Sequence, residues 1–122
     1  MHLLEANIAA FAATQDERFL DQARDIVDLF RTRFFDGVTL AEFFAEDWRR
    51  AEGEDGRAVE PGHQLEWACI LAQYQRLTGT DMIHETQALV RFAETYGVDQ
   101  ATHMTYNQVR DDGAPLDCGS RT

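Results

Sequence analysis

The segment Glu60-Pro61-Gly62-His63-Gln64-Leu65-Glu66-Trp67 holds the densest group of reactive side chains in this 122-residue sequence. His63 and Glu66 are three residues apart, a spacing that puts both on nearly one face of a helix. An imidazole of ordinary pKa, about 6.5, gives and takes protons near neutrality. A carboxylate beside it can hold its tautomer and support the imidazolium. The simplest structural alternative is that His63 caps a helix while Glu66 pairs with an arginine. Three features weigh toward chemistry instead. The His-x-x-Glu pattern occurs twice, as His2 with Glu5 and as His63 with Glu66. Trp67 and Trp48 offer aromatic surface of the kind that packs on the apolar face of a sugar ring. Pro61-Gly62 fixes the entry to the helix, which suits a side chain that must be placed accurately.

A metal is the competing chemistry. Glu60, His63 and Glu66 are oxygen and nitrogen ligands at spacings of three, and His2 with Glu5 could complete a set. Pro61 is expected to hold Glu60 off the helix that carries the other two, and no cysteine lies near. No metal and no cofactor is therefore assigned. His84 and His103 read as ordinary surface or loop histidines.

The elements that must position these residues read as helical hairpins. Leu4, Ile8, Phe11 and Ala12 have helical spacing over Met1 to Ala13. Thr14-Gln15-Asp16-Glu17 has the form of a capping box, opening a helix with Phe19, Ala23, Ile26, Val27, Phe30 and Phe34 on one face. Asp36-Gly37 ends it. Val38 to Phe44 is short, β-branched and aromatic, either a strand or an extended arm, and Arg49 to Ala58 reads as a surface loop. A second long helix is predicted over His63 to Leu77, burying Trp67, Ile70, Leu71, Tyr74 and Leu77. Gly79 stops it, and Thr80 or Asp81 caps a fourth helix that runs to Gly97. Met104 to Cys118 reads as a hairpin or ordered loop around Asp111-Asp112-Gly113. His2-Leu3-Leu4-Glu5 recurs as His63-Gln64-Leu65-Glu66, 61 residues on. Each copy opens a helix followed by a turn and a second amphipathic helix. Hairpins that cannot bury their apolar faces alone imply stacking into an array or a closed ring.

Arginine and lysine total 11 against 22 acidic residues, a formal charge of −11. Phosphate backbones and anionic membranes repel such a surface, so neither nucleic acid nor membrane is an expected partner. Two cysteines do not make a disulfide framework, and a reducing compartment is the simpler reading. The N-terminal stretch carries Glu5 and no basic region, unlike a secretory signal. No apolar run approaches the roughly 18 residues of a membrane span. The chain reads as cytoplasmic.

Met1-His2-Leu3-Leu4-Glu5-Ala6, then Leu40-Ala41-Glu42-Phe43 and Asp47-Trp48, then the octapeptide from Glu60 to Trp67 resemble the N-acylglucosamine 2-epimerase family in order and approximate spacing. The likeness is greatest to its bacterial mannose isomerase-like branch, where Glu-Pro-Gly-His-x-x-Glu-Trp is typical. The resemblance spans essentially the whole chain. It implies an all-α fold of αα-hairpin repeats, part of an (α/α)6 barrel, with residues 1–122 forming a single partial domain of about two of the six hairpins. It also implies that His63 is a catalytic acid/base and Glu66 its neighbouring carboxylate. His2 and Glu5 match a pocket-lining pair, Trp48 and Trp67 supply pocket aromatics, and Arg121 matches an arginine of the family pattern.

The chemistry so implied is proton transfer next to a carbonyl. The sugar ring opens, a base removes the C2 proton, and an enediolate forms. Reprotonation at C1 gives the ketose, and reprotonation at C2 from the opposite face gives the epimer. Arg121 is the candidate for stabilising the enediolate oxygen. Isomerisation of mannose to fructose, or of a related aldose, is favoured over 2-epimerisation of N-acylglucosamine or another aldose. The partner is a small-molecule sugar, and exposed hairpin faces would promote a homo-oligomer. The isolated chain is expected to be inactive. The reading from another class is a non-catalytic helical-repeat module, in which His63 and Glu66 would be solvated or salt-bridged on the outside.

Overall fold

The structure is a computed structural model that describes residues 1–119, and Arg121 lies outside them. Four helices form two αα-hairpins: α1 (His2–Thr14) with α2 (Glu17–Leu29), and α3 (Pro61–Thr78) with α4 (Ile83–Tyr96). The hairpins share one core, because α1 also packs on α3. Leu4 and Ile8 of α1 meet Ala23, Val27 and Phe30 from the second helix, together with Trp67, Leu71 and Tyr74 of α3 and Leu89 of α4. None of these helices is long and apolar enough to cross a membrane.

Local chemistry sets the helix ends. Thr14 is the last residue of α1 and turns its hydroxyl back to the Ala10 carbonyl at 2.7 Å. Gln15 takes a left-handed conformation, φ 58°, and closes the helix. The cap of α2 is therefore Asp16, whose carboxylate accepts the Arg18 amide at 3.0 Å, and not the Thr14 capping box. Asx chemistry two residues ahead of the first free amide outcompetes it. The helix α2 then runs on into a π turn, Phe30–Phe34, closed by the Phe35 amide on the Phe30 carbonyl at 2.9 Å. The start of α3 falls at Pro61, two residues before the expected start. Proline suits a first helical position because its missing N–H is one that no helix would use. At α4, Met82 occupies the cap position and Asp81 supplies the side-chain bond, to the Ile83 amide at 3.0 Å.

Of the two alternatives for 104–118, hairpin or ordered loop, the structure has a hairpin within 108–117: β2 (Gln108–Arg110) and β3 (Pro115–Asp117) are antiparallel around Asp111-Asp112-Gly113. The expected 49–58 loop differs at its end. Ala58–Val59 forms a strand, β1, that pairs antiparallel with β2 through Ala58 with Arg110 and Val59 with Val109. Val59, Val109 and Phe92 are buried together as a small second core. Two residues are too few to show a period, and the burial comes from the distant hairpin. The consequence is positional, because β1 leads directly into Glu60 and Pro61. Gly97, after α4, closes the same corner. A Cβ there would stand 2.6 Å from Pro61 Cγ, so only glycine lets the two helix ends meet.

Residues 36–50 form an extended arm without regular strands, held by bridges between Phe35 and Leu40 and between Phe44 and Arg50. The arm lies against the first turn of α3, where Gln64 is fully buried. The Gln64 side chain accepts from the Leu40 amide and donates to the Leu40 carbonyl, each at 3.1 Å. Asp36 accepts the amides of Val38 and Thr39 and pairs with Arg50 at 2.7 Å.

Candidate active site

Two recesses share His63. One is aromatic, about 270 Å³, with Phe34, Phe44, Trp48 and Trp67 on its walls beside Met1 and Glu42. The other is polar, about 370 Å³, with Glu60, Gly62, Glu66, Thr105 and Asn107. Larger recesses flank α4, but neither is lined by a carboxylate.

His63 stands at the third position of α3 with its side chain 35% exposed. Its Nδ1 lies 2.8 Å from Glu42 Oε2 and 3.5 Å from Glu60 Oε2. The carboxylates beside the imidazole are thus Glu42 from the arm and Glu60 from the cap position. The expected Glu66 lines the polar recess, exposed, and is not among the described contacts of His63. As expected from the sequence, Glu60 lies outside the helix, at the cap position before Pro61. Its side chain nonetheless folds back over the first turn. One ligand atom each of Glu42, Glu60 and His63 lies within 4.8 Å of the others. These three could hold a divalent cation, a different set from the one spacing suggested.

Glu42 accepts twice, from His63 at 2.8 Å and from the Glu60 amide at 3.1 Å. Burial pushes its carboxyl above the ordinary carboxylate value; the hydrogen bonds from His63 and the Glu60 amide oppose the rise, and the Glu60 charge adds to it. Glu60 is held in turn by Gln108 of β2 at 3.4 Å. No periodic signal marks Glu42. What could have found it is its place directly after the buried apolar pair Leu40-Ala41, where a lone carboxylate requires a partner.

The aromatic wall is built around Phe34, delivered by the π turn. Its ring lies 5.0 Å from Phe44, 5.5 Å from Trp48 and 6.4 Å from Trp67. Trp67 is 5% exposed and packs at 4.7 Å on Phe30, so it is first a core residue and reaches the recess only as its floor. Trp48 is the accessible ring, 47% exposed. It sits at φ 65°, where a bulky side chain is rare, in a tight turn closed by its own amide on the Ala45 carbonyl at 3.0 Å. His2 and Glu5 form a separate pair, 3.5 Å apart and largely exposed, and neither is joined to the His63 group by a described contact. The neighbouring Met1 does line the aromatic recess.

The family model described as N-acylglucosamine 2-epimerase (GlcNAc 2-epimerase) matches residues 1–121. A protein named mannose-6-phosphate isomerase from Rhizobium meliloti (strain 1021) is 35% identical over 104 residues, covering 82% of this chain and 26% of that protein. The structure of cellobiose 2-epimerase from Spirochaeta thermophila DSM 6192 is similar with a TM-score of 0.71 and 27% identity, over 96% of this chain and 30% of that one. Cellobiose 2-epimerase from Bacillus thermoamylovorans B4167 shares the fold, with a TM-score of 0.60 at 17% identity, over 96% of this chain and 46% of that one. The chain spans about a quarter of the curated relative it matches.

Proposed function

The chain belongs to the N-acylglucosamine 2-epimerase family, and from that premise we propose that it carries one proton-transferring half of a sugar isomerase site, as about two of the six hairpins of an (α/α)6 barrel. The observation that carries this reading is the position of His63. One imidazole, seated against two carboxylates, borders both an aromatic wall and a polar groove. An aldose has the matching halves, an apolar ring face for Trp48 and hydroxyls for Glu66 and Asn107.

His63 takes the C2 proton of the open-chain sugar, and the C–H electron pair becomes the C1–C2 double bond of an enediolate, with charge on O1. Protonation of C1 by the His63 imidazolium, whose proton can exchange with solvent, together with passage of the O2 proton to O1 as the C2 carbonyl forms, gives the ketose. Glu66 holds a hydroxyl of the same sugar, His2 and Glu5 line the approach, Trp67 floors the recess, and Arg121 meets the enediolate charge. Mannose to fructose is the favoured reaction. Both recesses are bordered by carboxylates and by no arginine among the described residues. That balance favours a neutral sugar over a phosphorylated one. A partner-binding array would leave His63 solvated or salt-bridged outside, and its pairing with two carboxylates fits either reading; membership of an epimerase family is what weighs toward catalysis.

The test uses the intact protein with D-mannose in D2O, followed by NMR, beside His63→Asn. Ketose with deuterium at carbon, lost in the variant, supports the reading. Labelled epimer from another aldose would make the activity a 2-epimerase. No exchange with any aldose would remove it.

A further inference from the structure

We infer that Glu42 is the positioning residue of His63: it holds the Nδ1 proton, so that Nε2 is the nitrogen that exchanges a proton with the substrate. The inference rests on the proton-transfer reading of His63 and adds the atom and the residue which that reading leaves open.

The hydrogen-bond inventory around Glu42 decides the tautomer. Its Oε1 faces the Glu60 amide at 3.1 Å, and a backbone N–H can only donate, so Oε1 is an acceptor. Its Oε2 lies 2.8 Å from His63 Nδ1, a distance typical of a charge-assisted bond. Glu60 Oε2 approaches the same nitrogen at 3.5 Å. Two carboxylate oxygens converging on one ring nitrogen demand a proton there. A bare Nδ1 lone pair would face at least one of them as an uncompensated repulsion. Nδ1 is therefore the N–H, and in the neutral ring Nε2 carries the free lone pair. Nε2 has no partner among the described residues.

Glu42 is itself fixed. Its side chain is only 11% exposed. Two residues before it, Leu40 is clamped by Gln64 through both backbone groups. One residue after it, the Phe43 carbonyl accepts the Ala51 amide at 2.9 Å. A carboxylate between two anchored backbone points cannot follow the imidazole if the ring swings, so it sets the orientation of the ring as well as its tautomer.

The test is Glu42→Gln in the intact protein with 15N-labelled histidine, the His63 signals being those lost in His63→Asn. The glutamine oxygen keeps the Glu60 amide, and its NH2 then faces Nδ1 as a donor. Neutral His63 must move its proton to Nε2. The expected result is an Nδ1–H tautomer in the parent and Nε2–H in Glu42→Gln. With the proton on the wrong nitrogen, kcat falls about 100-fold or more while KM changes less than about threefold. Glu42→Asp keeps an acceptor and is expected to retain the Nδ1–H tautomer with intermediate kcat; it decides the matter should Glu42→Gln fail to fold. An unchanged tautomer in Glu42→Gln, or a switched tautomer with undiminished kcat, overturns the inference. Should the intact protein exchange no aldose proton, the sugar reading fails, and the tautomer measurement alone decides the Glu42–His63 relation.

Discussion

Replacing Gln64 by methionine removes one side chain and should disable the site from below. The change keeps volume and flexibility, so it opens no cavity to confuse the result. What it removes is the paired hydrogen bonding to Leu40, two bonds of 3.1 Å from a fully buried amide. Two outcomes bracket the cost. If the arm stays in place, the Leu40 amide and carbonyl are both orphaned, at about 1–3 kcal/mol each, offset in part by burying a thioether in place of an amide. If the arm lifts so that water reaches them, the burial of Leu40 and Ala41, each 3% exposed, is lost, and Leu40 alone contributes about 2 kcal/mol. Both routes converge on a loss of about 2–4 kcal/mol. Urea denaturation at constant m-value measures it. In the lifted case Glu42 leaves His63 as well, and the His63 nitrogen signals lose their tautomer preference. A loss below about 0.5 kcal/mol, the range of ordinary surface changes, would refute the claim that Gln64 is the clamp.

Trp48→Gly separates strain from binding. The left-handed backbone at φ 65° costs a bulky residue about 1–2 kcal/mol that glycine does not bear, while the half-exposed ring gives up packing of similar size on Phe34. Thermal melting should therefore move little, whereas aldose-induced chemical-shift changes at His63 should weaken at least about tenfold in midpoint; a large melting shift with unchanged sugar binding would contradict the assignment. Glu42 predicts an unusual pH dependence. Its folded pKa is raised, so the native state binds the extra proton between the ordinary carboxylate value and the raised one, and stability falls as pH rises through that window. Denaturation midpoints across pH 4–8, taken as a range around about the carboxylate values, should show Glu42→Gln gaining on the parent with rising pH. A gap that instead widens in the parent's favour would reverse the sign assigned to burial.

The helices were legible because their evidence is local. Ala23, Val27 and Phe30 repeat at helical spacing, Pro61 and Gly79 punctuate α3, and Asp81 supplies a bond at the start of α4. The 108–117 hairpin was legible from Asp111-Asp112-Gly113. The strand β1 was not, because its pairing partner lies about fifty residues on and its two residues carry no period. The site divided in the same way. His63 stood out through its own neighbours, but spacing nominated Glu66 as its carboxylate and the three-dimensional arrangement brings Glu42 and Glu60 instead. A rule of three and four residues describes which side chains share a helix face, and it is silent on what an extended arm lays across that face. Gln64 was equally hidden: in a helix a glutamine looks ordinary, and only its complete burial shows that it serves as a backbone partner.

The parts that converge on His63 come from every region of the fold. The sheet fixes Val59, Gly97 admits Pro61, the arm delivers Glu42 through Gln64, and the π turn delivers Phe34 to Trp48. Of these parts Glu42 and Glu60 meet the imidazole itself, both at its Nδ1 edge. The Nε2 edge has no such support among the described residues, which is what a group needs if its last partner is to be a substrate. Isomerisation on one face of an enediolate needs only one such base, because the proton removed at C2 can return at C1. Epimerisation needs a second group across the sugar plane, and His63 is the one imidazole that lines either recess among the described residues. On the proposed reading the described residues supply one proton-transferring group, and the choice between ketose and epimer rests on whether the intact protein sets a second acid opposite it.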